Sequence, residues 1–264
     1  MAEEKRTISA ALKQKKNVML AVILRDMRSR FFNHGIGFLM VPLWPLVHIL
    51  ILLTIYTVMG RASPFGDNLL IFFATGLLPT LTFMYVSRGM AMSVISNRNM
   101  MSFPIVKTLD IMTGRAFLEF IGASLTLLLL FAILSLHGED PFPIDPFEAI
   151  LAYLSVIVLA VGVGYLVAVA CLLIQFFITI WSLTLIVIYL SSGVMFVPSR
   201  LPDKLVYYLS FNPVFQVVEW VRSAYFLGSA SRHLDKQYVL ACGLVCLCLG
   251  LLAERLLRRH ILEK

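Results

Sequence analysis

Apolar residues run through this chain in long blocks, and polar residues gather in short clusters between them. A helix crossing about 30 Å of hydrocarbon needs roughly 20 apolar residues. Six blocks meet that need: 35–59, 69–90, 116–136, 149–174, 178–196 and 238–256. The fourth and fifth are separated by a few residues only, so the pattern predicts a tight hairpin there. The whole chain, 1–264, reads as one transmembrane domain of six helices.

Two segments carry apolar residues without spanning. In 8–34, Leu20, Ile23, Leu24, Met27 and Phe31 recur at helical spacing, while Lys13, Lys16, Arg25, Arg28 and Arg30 occupy other faces. This predicts an amphipathic helix at the membrane surface, basic side toward lipid headgroups. It serves either as a positive anchor or as a docking element.

The second segment is VPSRLPDKLVYYLSFNPVFQVVEWVRSAYFLGS, within 197–237. Pro202 suits the start of a short helix; Asn212 suits an N-cap and Pro213 the first helical position of the next. Gly228 suits a stop. A helix over 213–227 is about 22 Å long, too short to cross. The pattern predicts a re-entrant hairpin, tolerated only when buried in protein or lining a cavity. Glu219 and Arg222, at i and i+3, share a face and can pair, which lowers the cost of charge at membrane depth. That pair either locks the hairpin or, with Tyr207, Tyr208, Trp220 and Tyr225, lines the mouth of a pathway.

Composition settles the class. The chain is 59% hydrophobic and 14% charged, against about a quarter charged in soluble domains. It is read as an all-α integral membrane protein. The net charge of +7 comes from Lys and Arg clustered beside the blocks, which writes topology and lipid contact rather than nucleic-acid binding. Lys5, Arg6, Lys13, Lys15, Lys16, Arg25, Arg28 and Arg30 precede the first block; Arg98, Lys107 and Arg115 follow the second; Arg255, Arg258, Arg259 and Lys264 end the chain. Both termini are therefore expected in the cytoplasm. Arg200, Lys204, Arg222, Arg232 and Lys236 fall on the outer side against this rule, where they would attract an acidic polymer or bind lipid phosphates. No charged n-region with a clean apolar core and cleavage site opens the chain, so no signal peptide is expected. Cys171, Cys242, Cys246 and Cys248 all sit in apolar stretches without metal spacing, so no disulfide or metal is expected.

The chemistry-bearing patterns are few. GxxxxGK[ST] is absent, so any ATP-driven role needs a separate nucleotide-binding subunit. GxSxG and HExxH are absent too; Ser191-Ser192-Gly193 is the one stretch that would suit an embedded nucleophile, and small residues at span ends also serve helix packing. A secondary transporter or channel would favour paired broken helices, and one re-entrant element is read here. Glu119, an intramembrane carboxylate, lies one turn from Arg115 and is expected to pair with it. His48 is expected to hydrogen-bond between helices. The loop SNRNMMSFPIVKTLD, punctuated by Pro104 with Met100, Met101 and Phe103, suits either a small element pressed into another protein's groove or a loop on the inner leaflet.

The order Ser192, Met195-Phe196, Pro202, Tyr208-Leu209, Asn212-Pro213, Val217-Val218-Glu219 and Arg222 resembles the C-terminal third of capsule polysaccharide ABC exporter permeases. Gly76-Leu77, Pro79, Asn97, Val106-Lys107, Asp110 and Arg115 to Glu119 are similar to the middle of that family. Arg25, Arg30, Gly37, Pro45 and His48 are similar to its approach to the first span. Trp44 stands where family members often have the Glu of a Glu-Pro, and Pro104 lies one position early.

The resemblance implies the permease half of a bacterial inner-membrane exporter that works as a homodimer. ATP and Mg would be held by a separate cytoplasmic ATPase, with Asn97, Arg98, Phe103, Pro104, Lys107 and Asp110 as the coupling element. The implied cargo is an acidic, lipid-anchored capsule polysaccharide, passed to a periplasmic co-polymerase and an outer-membrane channel. Exporters of lipopolysaccharide O-antigen or teichoic polymers share this kind of permease and remain alternatives.

Overall fold

A computed structural model describes residues 8–29, 36–60, 63, 68–101, 103, 105–228 and 233–262. Its helices are α1 (Ile8–Ser29), α2 (Met40–Val58), α3 (Leu69–Ser96), α4 (Thr108–Leu136), α5 (Pro146–Leu173), α6 (Phe177–Ser191), α7 (Asp203–Leu209), α8 (Pro213–Tyr225) and α9 (Lys236–Leu262). No strand occurs among the described residues. Local chemistry marks several starts. Asn68 Oδ1 accepts from the Ile71 amide ahead of α3, and Asp145 Oδ1 accepts from Glu148 with Pro146 at the first helical position of α5. Each side chain satisfies an amide that the helix leaves without an internal acceptor.

Among the described residues, five helices, α2, α3, α4, α5 and α9, are long and apolar enough to cross a membrane. The block at 178–196 behaves differently. Its helix, α6, ends at Ser191 after 15 residues, about 22 Å at ~1.5 Å per residue and short of ~30 Å. The chain turns at Gly193, whose φ of +81° lies in the left-handed region that glycine enters without strain. Apolar composition continues to Phe196; the helical hydrogen bonding does not. Elsewhere the helices outrun the apolar blocks, because α3 continues to Ser96 and α4 begins at Thr108.

Helix α5 is the axis of the bundle, flanked by α3 and α9. Small residues let the backbones approach, the packing device that replaces hydrophobic burial in lipid. A Cβ added at Gly164 would come within 3.0 Å of the Ser87 backbone, and one at Gly250 within 3.0 Å of the Leu166 amide. Gly162 abuts the Gly243 carbonyl. The pairings Gly162 with Gly243 and Tyr165 with Gly250 rise together, so α5 and α9 run in the same direction. Their starts meet where Lys236 Nζ lies 2.7 Å from Glu148 Oε2. Residues 174–235 therefore carry the chain back from the far end of α5 to its beginning.

The seam makes a direct demand on side-chain size. Gly243→Val is expected to cost about 1–3 kcal/mol, the usual penalty for overpacking. The measurement is the thermal transition of detergent-purified protein followed by size-exclusion chromatography.

Candidate functional site

The break at the end of α6 leaves carbonyls without helical partners in the middle of the fold, and α8 supplies the donors. Asn212 begins α8, its Oδ1 accepting from Val214 at 2.9 Å. Its Nδ2 reaches back to the Ile188 carbonyl at 3.2 Å and to Ser191 Oγ at 2.9 Å. Arg222, farther along the same helix and buried, donates from Nη1 to Gly193 O at 2.7 Å and Phe196 O at 3.0 Å, and from Nη2 to Val194 O at 3.0 Å. Its guanidinium carbon sits 4.1 Å from the centre of the Phe72 ring, a cation–π contact strengthened by desolvation. Gly76 leaves the room: a Cβ there would be 3.0 Å from Arg222 Nη2.

Glu219 is buried one turn before Arg222, with Oε1 3.7 Å from Nη1. The two charges thus face the inside of the subunit and the end of α6. Trp220 is buried as well; its Nε1 donates to Glu148 Oε2 at 2.6 Å, and Lys236 Nζ lies 5.3 Å from its ring. The same end of α8 is tied down where the Asp145 amide donates to Ala224 O at 3.0 Å; the neighbouring Tyr225 is half-buried. Tyr207 and Tyr208 on α7 are exposed, and Tyr207 meets Phe211 edge-on at 5.2 Å. The predicted pathway set therefore divides: Tyr207 and Tyr208 present aromatic surface, joined by Phe211, while Asn212, Pro213, Glu219, Trp220 and Arg222 serve the packing of α6, α8 and α9.

Gln216 completes the hairpin and escaped the sequence reading. Buried in α8, it donates from Nε2 to Ser210 O and His233 O, both at 2.9 Å, and accepts from the Asp235 amide at 2.9 Å. A lone amide within the apolar run FQVV was its signal. Ser192, considered as a nucleophile, is buried and donates to Tyr189 O at 2.7 Å; Ser191 donates to Val187 O at 2.9 Å. Among the described residues, no base addresses either hydroxyl.

At the other end of the bundle, Arg115 and Glu119 are in direct contact and both buried. The pair belongs to a larger node. Arg115 Nη1 stands 3.6 Å from Asp26 Oδ2 on α1, and Asn97 Nδ2 donates to Asp26 Oδ1 at 2.8 Å. Asp26, the one carboxylate in a basic segment, was also missed. Its burial with Val22 and Ile23 shows that α1 packs on α4 through that face, with Met19 and Ile23 against Gly114. Leu20 and Leu24 of the apolar stripe are exposed. Arg25 is half-buried; the Arg28 side chain, Arg30 and Phe31 lie outside the described residues.

The expected coupling residues also divide. Asn97 is buried in the node, and buried Asp110 accepts from the Lys107 amide at 3.2 Å as a cap of α4. Arg98, Phe103 and Lys107 are exposed, with Ile105 beside them; Pro104 lies outside the described residues. His48 Nδ1 lies 2.9 Å from Tyr85 Oη, between α2 and α3.

No family model matches the chain. It is 31% identical over 237 residues to the polysialic acid transport protein KpsM of Escherichia coli, covering 89% of this chain and 91% of that one. The chain belongs to the family of capsule polysaccharide export inner-membrane proteins. The protein CtrC of Neisseria meningitidis is 28% identical over 236 residues, 89% of each chain. BexB of Haemophilus influenzae is 26% identical over 250 residues, 93% of this chain and 92% of that one.

Arg222→Ala would remove the donor that the Gly193, Val194 and Phe196 carbonyls share and the cation 3.7 Å from Glu219. Removing one partner of a buried pair costs about 3–5 kcal/mol. The expected outcome is faster hydrogen–deuterium exchange at 192–197, with α3 and α5 unchanged. Arg222→Lys, lacking the fork, should restore little.

Proposed function

We propose that this capsule-export permease is the membrane half of an ATP-driven exporter working as a homodimer. Two copies enclose the path, and two copies of a cytoplasmic ATPase hold ATP and Mg and drive it. The cargo is an acidic, lipid-anchored capsule polysaccharide moved to the periplasm, where a co-polymerase and an outer-membrane channel receive it. The observation that carries this reading is the likeness to KpsM, CtrC and BexB over about nine-tenths of the chain. The absence of a phosphate-binding loop in the sequence supports a borrowed ATPase.

In this reading the end bearing α1 and the 97–107 loop is cytoplasmic, as the Lys and Arg distribution favours. α6 with the capped segment 192–197 makes the sixth crossing, since the parallel directions of α5 and α9 require a return. α7 and α8 are the re-entrant hairpin on the periplasmic side. Phe103 and Ile105, apolar and exposed between Arg98 and Lys107, form the contact with the ATPase. Tyr207, Tyr208 and Phe211 offer ring faces to sugars at the outer mouth.

Tagged protein gently solubilised from its native membrane is expected to bring down a nucleotide-binding subunit whose hydrolysis depends on this chain. A chain recovered alone, without ATPase activity, would overturn the proposal. Replacing Phe103 and Ile105 with Asp should lower the recovered ATPase roughly tenfold, as loss of an interface anchor does. Tyr207→Ala with Tyr208→Ala should reduce surface capsule while leaving membrane insertion and ATPase recovery intact.

A further inference from the structure

A cleft of about 350 Å³ opens between α2, α3 and α4 at the end of the bundle nearer α1. That volume is within the range of ligand sites, about 300–1,000 Å³. Trp44 stands at its wall 63% exposed, and Tyr85, Arg88 and Gly89 of α3 face Arg115 and Glu119 of α4 across it. The mechanism proposed above uses none of this space.

The charges in and behind the cleft are unequal in their commitments. Glu119 is taken up by Arg115, and Asp26, behind it, by Arg115 and Asn97. Arg88 is exposed and forms no ion pair among the described residues. Arg115 is 2% exposed, yet its Nε finds no hydrogen-bond acceptor, a costly state for a buried charged donor. The pair packs directly on Gly89, where a Cβ would lie 2.8 Å from Arg115 Nη2 and collide with the Glu119 carboxylate. The cleft therefore holds at its rim one cation, Arg88, that forms no ion pair among the described residues, while Arg115 in its wall is held by two carboxylates.

Its surroundings are those of an amphiphile rather than a free ion. From Trp44 an exposed apolar stripe continues along α2 through Val47, Ile51 and Ile55. Arg88 precedes the end of α3 by about 12 Å of helix, two turns. Basic pockets between spans on the cytoplasmic side suit anionic headgroups.

We infer that this cleft binds the headgroup of an anionic inner-leaflet phospholipid, the phosphate at Arg88 beside Trp44 and the acyl chains along the α2 stripe. The inference rests on the proposed orientation of the bundle, and it does not depend on the cargo. Lipid retention and capsule export are read separately, so either can fail alone.

The test uses the full chain, delipidated in neutral detergent and examined by native mass spectrometry with added phosphatidylglycerol or phosphatidylcholine of identical acyl chains. Phosphatidylglycerol should be retained more firmly, with one tightly held molecule per chain. Arg88→Gln should lower its retention roughly tenfold, as loss of one charge-assisted contact does, and Arg88→Lys should keep most of it. Trp44→Ala, on another helix, should also weaken retention, and every variant should elute at the unaltered size-exclusion volume. Equal retention of the two lipids overturns the proposal. So does an unchanged Arg88→Gln, or displacement of the lipid by excess inorganic phosphate, which would mark a small-anion site.

Discussion

A backbone carbonyl inside a bilayer must find a donor within the protein, because no water is there to supply one. In the proposed six-crossing arrangement, the end of α6 is where this fold meets that constraint. The helix stops short, turns at Gly193, and leaves a run of carbonyls that a straight helix would have absorbed. One arginine and one asparagine, both on α8, absorb them instead. The location of α8, the buried pair Glu219–Arg222, the gap at Gly76 and the Phe72 ring over the guanidinium all follow from that repair. What looks in isolation like charge misplaced in a membrane is the completion of a neighbouring helix.

Much of this architecture is legible in the sequence. Length and apolarity mark five long helices, and Asn-Pro marks the start of α8, because these signals are local. The premature end of α6 is not local. Residues 192–196 are apolar enough to extend a span, and Gly193 alone hints at a turn, so the block reads as one helix. Arg222 is readable as a partner for Glu219 at i and i+3, but its three carbonyl acceptors lie in the non-helical stretch after α6. The packing of α1 on α4 is hidden for a related reason: the face it lays down carries Asp26, whose partners Arg115 and Asn97 lie far along the chain, while Leu20 and Leu24 of the periodic stripe stay exposed.

The same asymmetry governs the site. Local pairing put Arg115 with Glu119 correctly, and the third and fourth members, Asp26 and Asn97, come from elements far along the chain. Of the residues grouped as a coupling loop, Asn97 and Asp110 turn inward to hold the ends of α3 and α4, while Arg98, Phe103 and Lys107 turn outward. A polar residue near a helix end is first a candidate for satisfying that end. Those left exposed after that accounting, here Phe103 with Ile105, and Tyr207 and Tyr208 with Phe211, form the surfaces available to other molecules.

The arginine that closes the end of α6 follows Gly193 by 29 residues. During synthesis α6 therefore emerges well before its donor exists. A growing chain that released α6 into lipid at that moment would expose its terminal carbonyls to hydrocarbon. The stable course is for α6 to wait beside the insertion machinery, or against α3 and α5, until α8 has been made. In the proposed topology, biogenesis of this bundle is thus expected to be concerted over its last third, with α6, α8 and α9 entering the membrane as a group rather than one helix at a time.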